Sequence, residues 1–266
     1  MLSIIIPSYR DPRILRAVQS VRRFDDLGNV QIVIVDGGSD PALIDSVRSA
    51  LEPQDILICE PDDGIFDALN KGLERAEGDM IGWIGSDDVF HTEIKASEIV
   101  EYLNTADILV AGTAMVDHDR VKRMFWLPKN PSKAALIGLH NPHFSTFGRS
   151  EVMRRARFDK ACPTADIGYF LDVFKTNPTV HVDRRIGTLQ QVGGFSNGSI
   201  GKSLAMNATT YPQYRAHLSP LRAAFASALK LGPKVASAVF YKFNQSTVKD
   251  DLLPPAQRNS NRWGTE

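Results

Sequence analysis

Apolar and polar positions along the chain fall into two alternating patterns. Leu2–Pro7 (LSIIIP), Gln31–Asp36 (QIVIVD), Asp55–Glu60 (DILICE), Met80–Ile84 and Ala106–Val116 are short runs rich in Ile, Val and Leu. Their hydrophobicity is continuous rather than alternating, which predicts strands covered on both faces, as in a parallel sheet between helices. Pro12–Phe24, with Ile14, Leu15, Val18 and Val21, has helical spacing, and Ile65–Ala76 reads as another helix. Asp40 before Pro41 predicts an N-cap with Pro at the first helical position. After about Val121 the pattern loosens. A strand-like MFWLP, a helix near Ser132–Gly138, a His- and Pro-rich loop and helices near Glu151 and Asp166 are expected there. The fold class is thus α/β, with a Rossmann-like, mostly parallel sheet flanked by helices.

Polar residues gather where the predicted strands end. The ends read Pro7-Ser8-Tyr9-Arg10-Asp11, Asp36-Gly37-Gly38-Ser39-Asp40, Glu60-Pro61-Asp62-Asp63-Gly64 and Ser86-Asp87-Asp88. Open parallel sheets bind ligands outside the carboxyl ends of their strands, so four such ends converge on one crevice. Crowded carboxylates repel unless a cation offsets them. Magnesium and manganese take oxygen ligands and bridge them to substrate phosphates, so a nucleoside diphosphate with a divalent metal suits this crevice. Taken alone, Ser86-Asp87-Asp88 serves equally as the N-cap of a helix, and Asp36-Gly37-Gly38 as a plain turn.

Composition excludes several classes. Only Cys59 and Cys162 occur, in no metal-ligand spacing, so neither a disulfide framework nor a zinc site is expected. No signal peptide is read at the start and no apolar run reaches membrane-spanning length, so a cytoplasmic location is expected. The Asn-x-Ser/Thr triplets at Asn197, Asn207 and Asn244 then occur by chance. No Gly-x-Gly-x-x-Gly follows the first strand, and Gly201-Lys202-Ser203 lacks the upstream glycine of a P-loop because Ser196 stands there.

Charge divides the chain although the whole is neutral, with 31 basic and 31 acidic residues. From Lys202 to Lys249 there are seven Lys/Arg and no Asp/Glu. Within that segment Leu221, Phe225 and Leu229, then Val235, Val239 and Phe243, recur every four residues. Such a basic amphipathic helical extension either lies on an anionic bilayer or packs on the main domain. Residues 1–200 are read as the main domain, 201–252 as this extension and 253–266 as a disordered tail.

The stretches SIIIPSYRD, IVIVDGGSD, EPDDGIFDALNKG (Glu60–Gly72) and AEGDMIGWIGSDD (Ala76–Asp88), in this order, resemble the family 2 glycosyltransferases with a GT-A fold. The resemblance covers roughly Leu2–Ile200 and is nearest to bacterial enzymes of O-antigen, capsule and exopolysaccharide assembly. It implies an inverting transfer from a nucleotide sugar, UDP-linked by preference, to a hydroxyl of a glycan or polyprenyl-diphosphate-linked acceptor. It places Pro7, Tyr9 and Asp11 against the base and ribose, and makes Asp36 the acceptor for the base N–H. It puts Asp63, Asn70 and Lys71 in the donor pocket, and Asp87 at the ribose or on a water. Asp88 becomes the ligand of a Mn or Mg ion, Asp166 the catalytic base, and His143 a contact to the acceptor or diphosphate. The family often carries Asn at the position of Arg10 and Ala-Asp-Tyr-Asp around the position of Asp166. In the other direction, Asp166 also reads as a helix-start carboxylate, and His140 and His143 as loop residues. Trp83 and Trp126 read as core, and Gly193-Gly194-Phe195-Ser196-Asn197 as a loop or a lid over the donor. A sugar-nucleotide-binding protein without a base, and a nucleotidyltransferase, are the competing functions. The latter needs a glycine-rich loop after the first strand, and Pro7–Asp11 contains no glycine.

Overall fold

The computed structural model describes residues 1–117, 120–124, 127–135, 143–191 and 208–229. The element order begins β1 (Leu2–Ser8), α1 (Ile14–Phe24), β2 (Val30–Asp36), α2 (Pro41–Ser49), β3 (Ile56–Cys59), α3 (Ile65–Arg75) and β4 (Met80–Trp83). It continues with β5 (Val89–Phe90), α4 (Ala96–Thr105), β6 (Ile108–Asp117), β7 (Arg120–Met124), α5 (Pro131–Ala135), a 3-10 turn at His143–Ser145 and β8 (Thr146–Arg149). Last come α6 (Ser150–Met153), α7 (Ala165–Lys175), β9 (Val180–Gln191) and α8 (Thr210–Arg215). A further helix covers residues 220–229.

Among the described residues one sheet runs β3-β2-β1-β4-β8-β6-β9-β5, with β7 on β6. The first four strands are parallel, as continuous apolar runs require. All seven residues of β1 and of β2 are buried. Alternate side chains of β1 enter opposite layers. Leu2, Ile4 and Ile6 pack with α1, α2 and α4, whereas Ile5 packs with α3, α6 and α7. Helix α3 lies so close that a Cβ on Gly72 would stand 2.3 Å from Ile5 Cγ2, so only glycine fits there. Asp40 caps α2 as expected, accepting from the Leu43 N–H at 3.0 Å with Pro41 at the first helical position. Such a cap contributes about 1 kcal/mol.

The second half of the sheet is mixed. β8 is antiparallel to β4 and β6, β5 to β9 and β7 to β6, whereas β6 and β9 are parallel. The strand expected at MFWLP lies one segment earlier, over Arg120–Met124, and residues 125 and 126 are outside the described residues. β5, β8, β9 and α4 have no counterpart in the sequence pattern. Trp83 is fully buried against Phe158, Tyr169 and Phe170, as a core residue. Trp126, His140, Gly193–Asn197, the sequons, the second apolar stripe and the tail 253–266 fall outside the described residues.

The described part of the extension is not detached from the main domain. Tyr214, Ala223 and Ala226 join the same core layer as α7. Leu221 and Phe225 point outward, 85% and 58% exposed. In the described part of the expected stripe, Ala223 and Ala226 face the domain, whereas Leu221 and Phe225 do not.

Candidate active site

Because β1 to β4 are parallel, their carboxyl ends share one edge. Side chains and backbone stitch these ends together in sequence. The Gly37 N–H donates to the Ser8 carbonyl and the Glu60 N–H to the Asp36 carbonyl, at 2.9 and 3.1 Å. The Arg10 N–H donates to Ser39 Oγ at 2.7 Å. Ser86 Oγ donates to Asp11 Oδ2 at 3.1 Å. Pro7 sits inside β1 with its side chain buried, opposite Val35. The β1–β4 ladder stops earlier, at Ile5 opposite Trp83. The missing proline N–H therefore costs that ladder nothing, and the strands part where the polar residues begin.

At the end of β2, Asp36 is only 1% exposed. Its Oδ1 accepts the Gly38 and Ser39 N–H groups and its Oδ2 the Ser39 hydroxyl. A carboxylate has about four acceptor positions, so one remains after these three bonds. Arg10 adopts φ 51, a left-handed conformation unusual for a long side chain. Asn tolerates that region better than most residues, which gives the family preference for Asn at this position a backbone reason. Tyr9 is 58% exposed, with the Arg10 guanidinium carbon 5.0 Å above its ring centroid.

The polar residues after β3 separate in the structure. Asp63 points outward and pairs with Lys160. Asn70 clasps the backbone of Phe158, donating to its carbonyl at 2.9 Å and accepting from its N–H at 3.0 Å. Lys71 holds the loop before α3, reaching the Pro61 carbonyl at 3.0 Å and Glu60 at 2.8 Å. Asp62 is the residue turned toward the crevice. A Cβ on Gly37 would meet its Oδ2 at 2.7 Å. Burial, with Asp67 and Asp36 nearby, pushes its carboxyl up. Either carboxylate of Asp62-Asp63 satisfies the sequence pattern, so only the turn, with Gly64 at φ 103, separates them.

The densest charge lies beyond β4. Ser86-Asp87-Asp88 leads directly into the strand β5, so the triplet does not cap a helix. A Cβ placed on Gly85 would stand 2.9 Å from both Asp87 Oδ1 and Asp88 Oδ2, so the two carboxylates converge over that glycine. Asp88 is 4% exposed and its Oδ1 accepts the Gln191 N–H at 3.0 Å. Burial first, and the Asp87 charge second, push the Asp88 carboxyl well above the ordinary range. Burial raises Asp87 as well. Arg13 carries no mark in the sequence. It grips Asp11 with Nε and Nη2, both at 2.8 Å, and Nη2 lies 3.6 Å from Asp87 Oδ2. Burial pushes Asp11 up, but the bonds from Arg13 and Ser86 outweigh it and hold the carboxyl low.

Asp166 occupies the second position of α7, partly exposed, where the helix N-terminus favours a carboxylate. Trp83, at the end of β4, packs edge-on to Tyr169 at 5.7 Å and so fixes the first turns of α7 beside that strand end. Thr164 Oγ1 meets Thr209 Oγ1 at 3.0 Å, tying the same helix start to α8. Burial, then the charge of Asp166, pushes Tyr214 up. His143 lies in the 3-10 turn before β8, and its side chain is outside the described residues.

The model of Glycosyl transferase family 2 matches residues 3–164, more than half of the chain. The chain belongs to this family. Among curated relatives, an uncharacterized glycosyltransferase of Mycobacterium tuberculosis is 32% identical over 105 residues, covering 39% of this chain and 40% of its own length. A PGL/p-HBAD biosynthesis glycosyltransferase of Mycobacterium bovis is 29% identical over 107 residues, 39% of this chain and 41% of the relative. The match thus spans about two fifths of these relatives. Among solved structures, S. aureus TarS 1-349 in complex with UDP-GlcNAc aligns with TM-score 0.61 at 14% identity, over 88% of this chain and 72% of that one. The mannosyltransferase PcManGT of Pyrobaculum calidifontis, in complex with GDP-Man and Mn2+, aligns with TM-score 0.59 at 17% identity, over 91% and 78%. At such identities the likeness establishes the GT-A fold.

Proposed function

We propose that this family 2 chain transfers a sugar, with inversion, from a nucleotide donor to an acceptor hydroxyl. The observation that carries the reading is the convergence of Asp87 and Asp88 over Gly85, at the shared carboxyl edge of four parallel strands. Two carboxylates whose burial makes them hold their protons more tightly are short of positive charge, and Arg13 offsets only part of it. Among the described residues no group of three or more His, Cys, Asp or Glu that could hold a metal ion is found. A hard divalent ion in such a site is held by one or two carboxylates plus substrate phosphates. Asp88, with Asp87, would hold a magnesium or manganese ion, which supplies Lewis-acid relief of the leaving diphosphate when bound.

The chain's own groups do the rest. Asp36 keeps an acceptor position for a base N–H, and its anchoring by Gly38 and Ser39 fixes the direction of that bond. Tyr9 and Arg10 offer a flat exposed surface for the base or ribose. Asp166, partly solvated at the α7 start, takes the acceptor proton as the hydroxyl attacks the anomeric carbon. General-base assistance contributes roughly 10²–10⁴-fold. UDP is the favoured nucleotide, supported by the resemblance and by a structural neighbour in complex with UDP-GlcNAc. The acceptor is read as a glycan or lipid-linked glycan of surface polysaccharide synthesis, met at the cytoplasmic face of an anionic membrane. The outward Leu221 and Phe225 and the basic composition around them support that placement.

A thermal-shift panel of nucleotides and nucleotide sugars, with and without manganese, tests the reading. A donor is expected to raise Tm more with manganese, and Asp88→Asn to remove the manganese-dependent part while folding normally. Equal shifts with and without the ion, or wild-type transfer by Asp88→Asn, would sink it.

A further inference from the structure

Arg13 is the cation within ion-pair distance of Asp87 among the described residues. It stands at the entrance of α1, where its own N–H and its guanidinium both bind Asp11. The fork is therefore pre-set by the turn, and the second nitrogen is delivered toward Asp87 without further ordering of the side chain. Asp11, Asp87 and Asp88 together carry up to three negative charges; Arg13 reaches both Asp11 and Asp87, and Arg16 lies near Asp11 as a second cation. The Arg13 guanidinium, held by Asp11, stands 3.6 Å from Asp87 Oδ2, beside the carboxylate that converges with Asp88 over Gly85. A divalent ion approaching the pair meets this guanidinium as a competitor. A diphosphate approaching the same place meets it as an attractant.

We propose that Arg13 is a positioning residue that couples cation loading to the nucleoside diphosphate. It keeps the acid pair from holding a divalent ion strongly by itself, and it favours the ion arriving with the phosphates. The inference rests on the metal reading of Asp88 and adds a role for a side chain outside the ligand set. Its sign is diagnostic. A residue that merely supports the fold weakens ion binding when removed, whereas a built-in competitor strengthens it.

The test is manganese binding to the full chain, followed by the electron-spin resonance of the free ion, with and without UDP. Arg13→Met is expected to bind manganese alone roughly tenfold more tightly than wild type, the scale of removing one charge at this distance in a solvated setting. The gain in manganese affinity on adding UDP should shrink by a similar factor. Arg13→Gln keeps a hydrogen-bond donor for Asp11 without the charge. It should behave like Arg13→Met, and it carries the test should the methionine variant fail to fold. Unchanged or weaker manganese binding in the folded variant overturns the proposal. Asp88→Asn separates the two layers. Manganese binding that survives in Asp88→Asn refutes the metal reading itself, whereas binding lost there but unmoved by Arg13 replacement refutes only the coupling.

Discussion

At the scale of single residues, neighbours decide which of two similar side chains serves the site. Asp62 and Asp63 are adjacent and chemically identical, yet one lies against Gly37 and the other pairs with Lys160. Asp87 and Asp88 are legible as a pair because both come after an apolar strand. Arg13 is not, because nothing in IPSYRDPRIL marks an arginine at a helix entrance as facing a carboxylate 74 positions away. The base is the residue whose assignment most needs chemistry. Asp166→Asn keeps size and polarity at the α7 start, so UDP affinity measured by calorimetry should stay within about twofold of wild type, while transfer should fall by roughly 10²–10⁴-fold. Loss of nucleotide affinity together with transfer would place Asp166 in the donor pocket instead.

At the scale of elements, continuous apolar runs announce β1 to β4, because a strand covered on both faces has no polar side to dilute the signal. β9 is hidden for the opposite reason. It reads VHVDRRIGTLQQ, and its polar stretch is held by Arg185, which pairs with both Asp183 and Glu98. β5 is two residues long and has no pattern to show. The helix over residues 220–229 shows how a correct stripe can be assigned to either side. Ala223, Ala226 and Ser227 are the residues that approach the domain, leaving Leu221 and Phe225 in solvent beside Arg222. No helix among the described residues is long and apolar enough to cross a membrane. Surface docking then predicts salt-sensitive sedimentation with anionic vesicles, reduced by the double substitution Leu221→Glu and Phe225→Glu. Equal sedimentation of the double variant and wild type at low salt would refute docking by this face. A shift of the wild type to dimer mass without vesicles would mean that a second copy covers it.

At the scale of the whole molecule, two halves built on different sheet logic meet at the β4–β8 ladder and a shared core layer, and a few long-range side chains reinforce that seam. Asn70 on α3 grips the Phe158 backbone 88 positions away, and Arg154 reaches the Leu73 carbonyl at 2.9 Å from the other direction. The family resemblance groups Asn70 with the donor pocket, and the folded chain shows its amide engaged with the Phe158 backbone. Asn70→Ala strands a carbonyl and an N–H at Phe158, which costs about 1–3 kcal/mol. Urea unfolding should register that loss while nucleotide affinity holds, and the reverse outcome would return Asn70 to the pocket.

One bond spans the halves at the site itself. Gln191 of β9 donates its N–H to Asp88, so this strand is tied directly to the carboxylate. A carboxylate that gains or shares its negative charge alters its pull on that peptide. A change of charge at Asp88 is thus felt first by the backbone of β9 at Gln191.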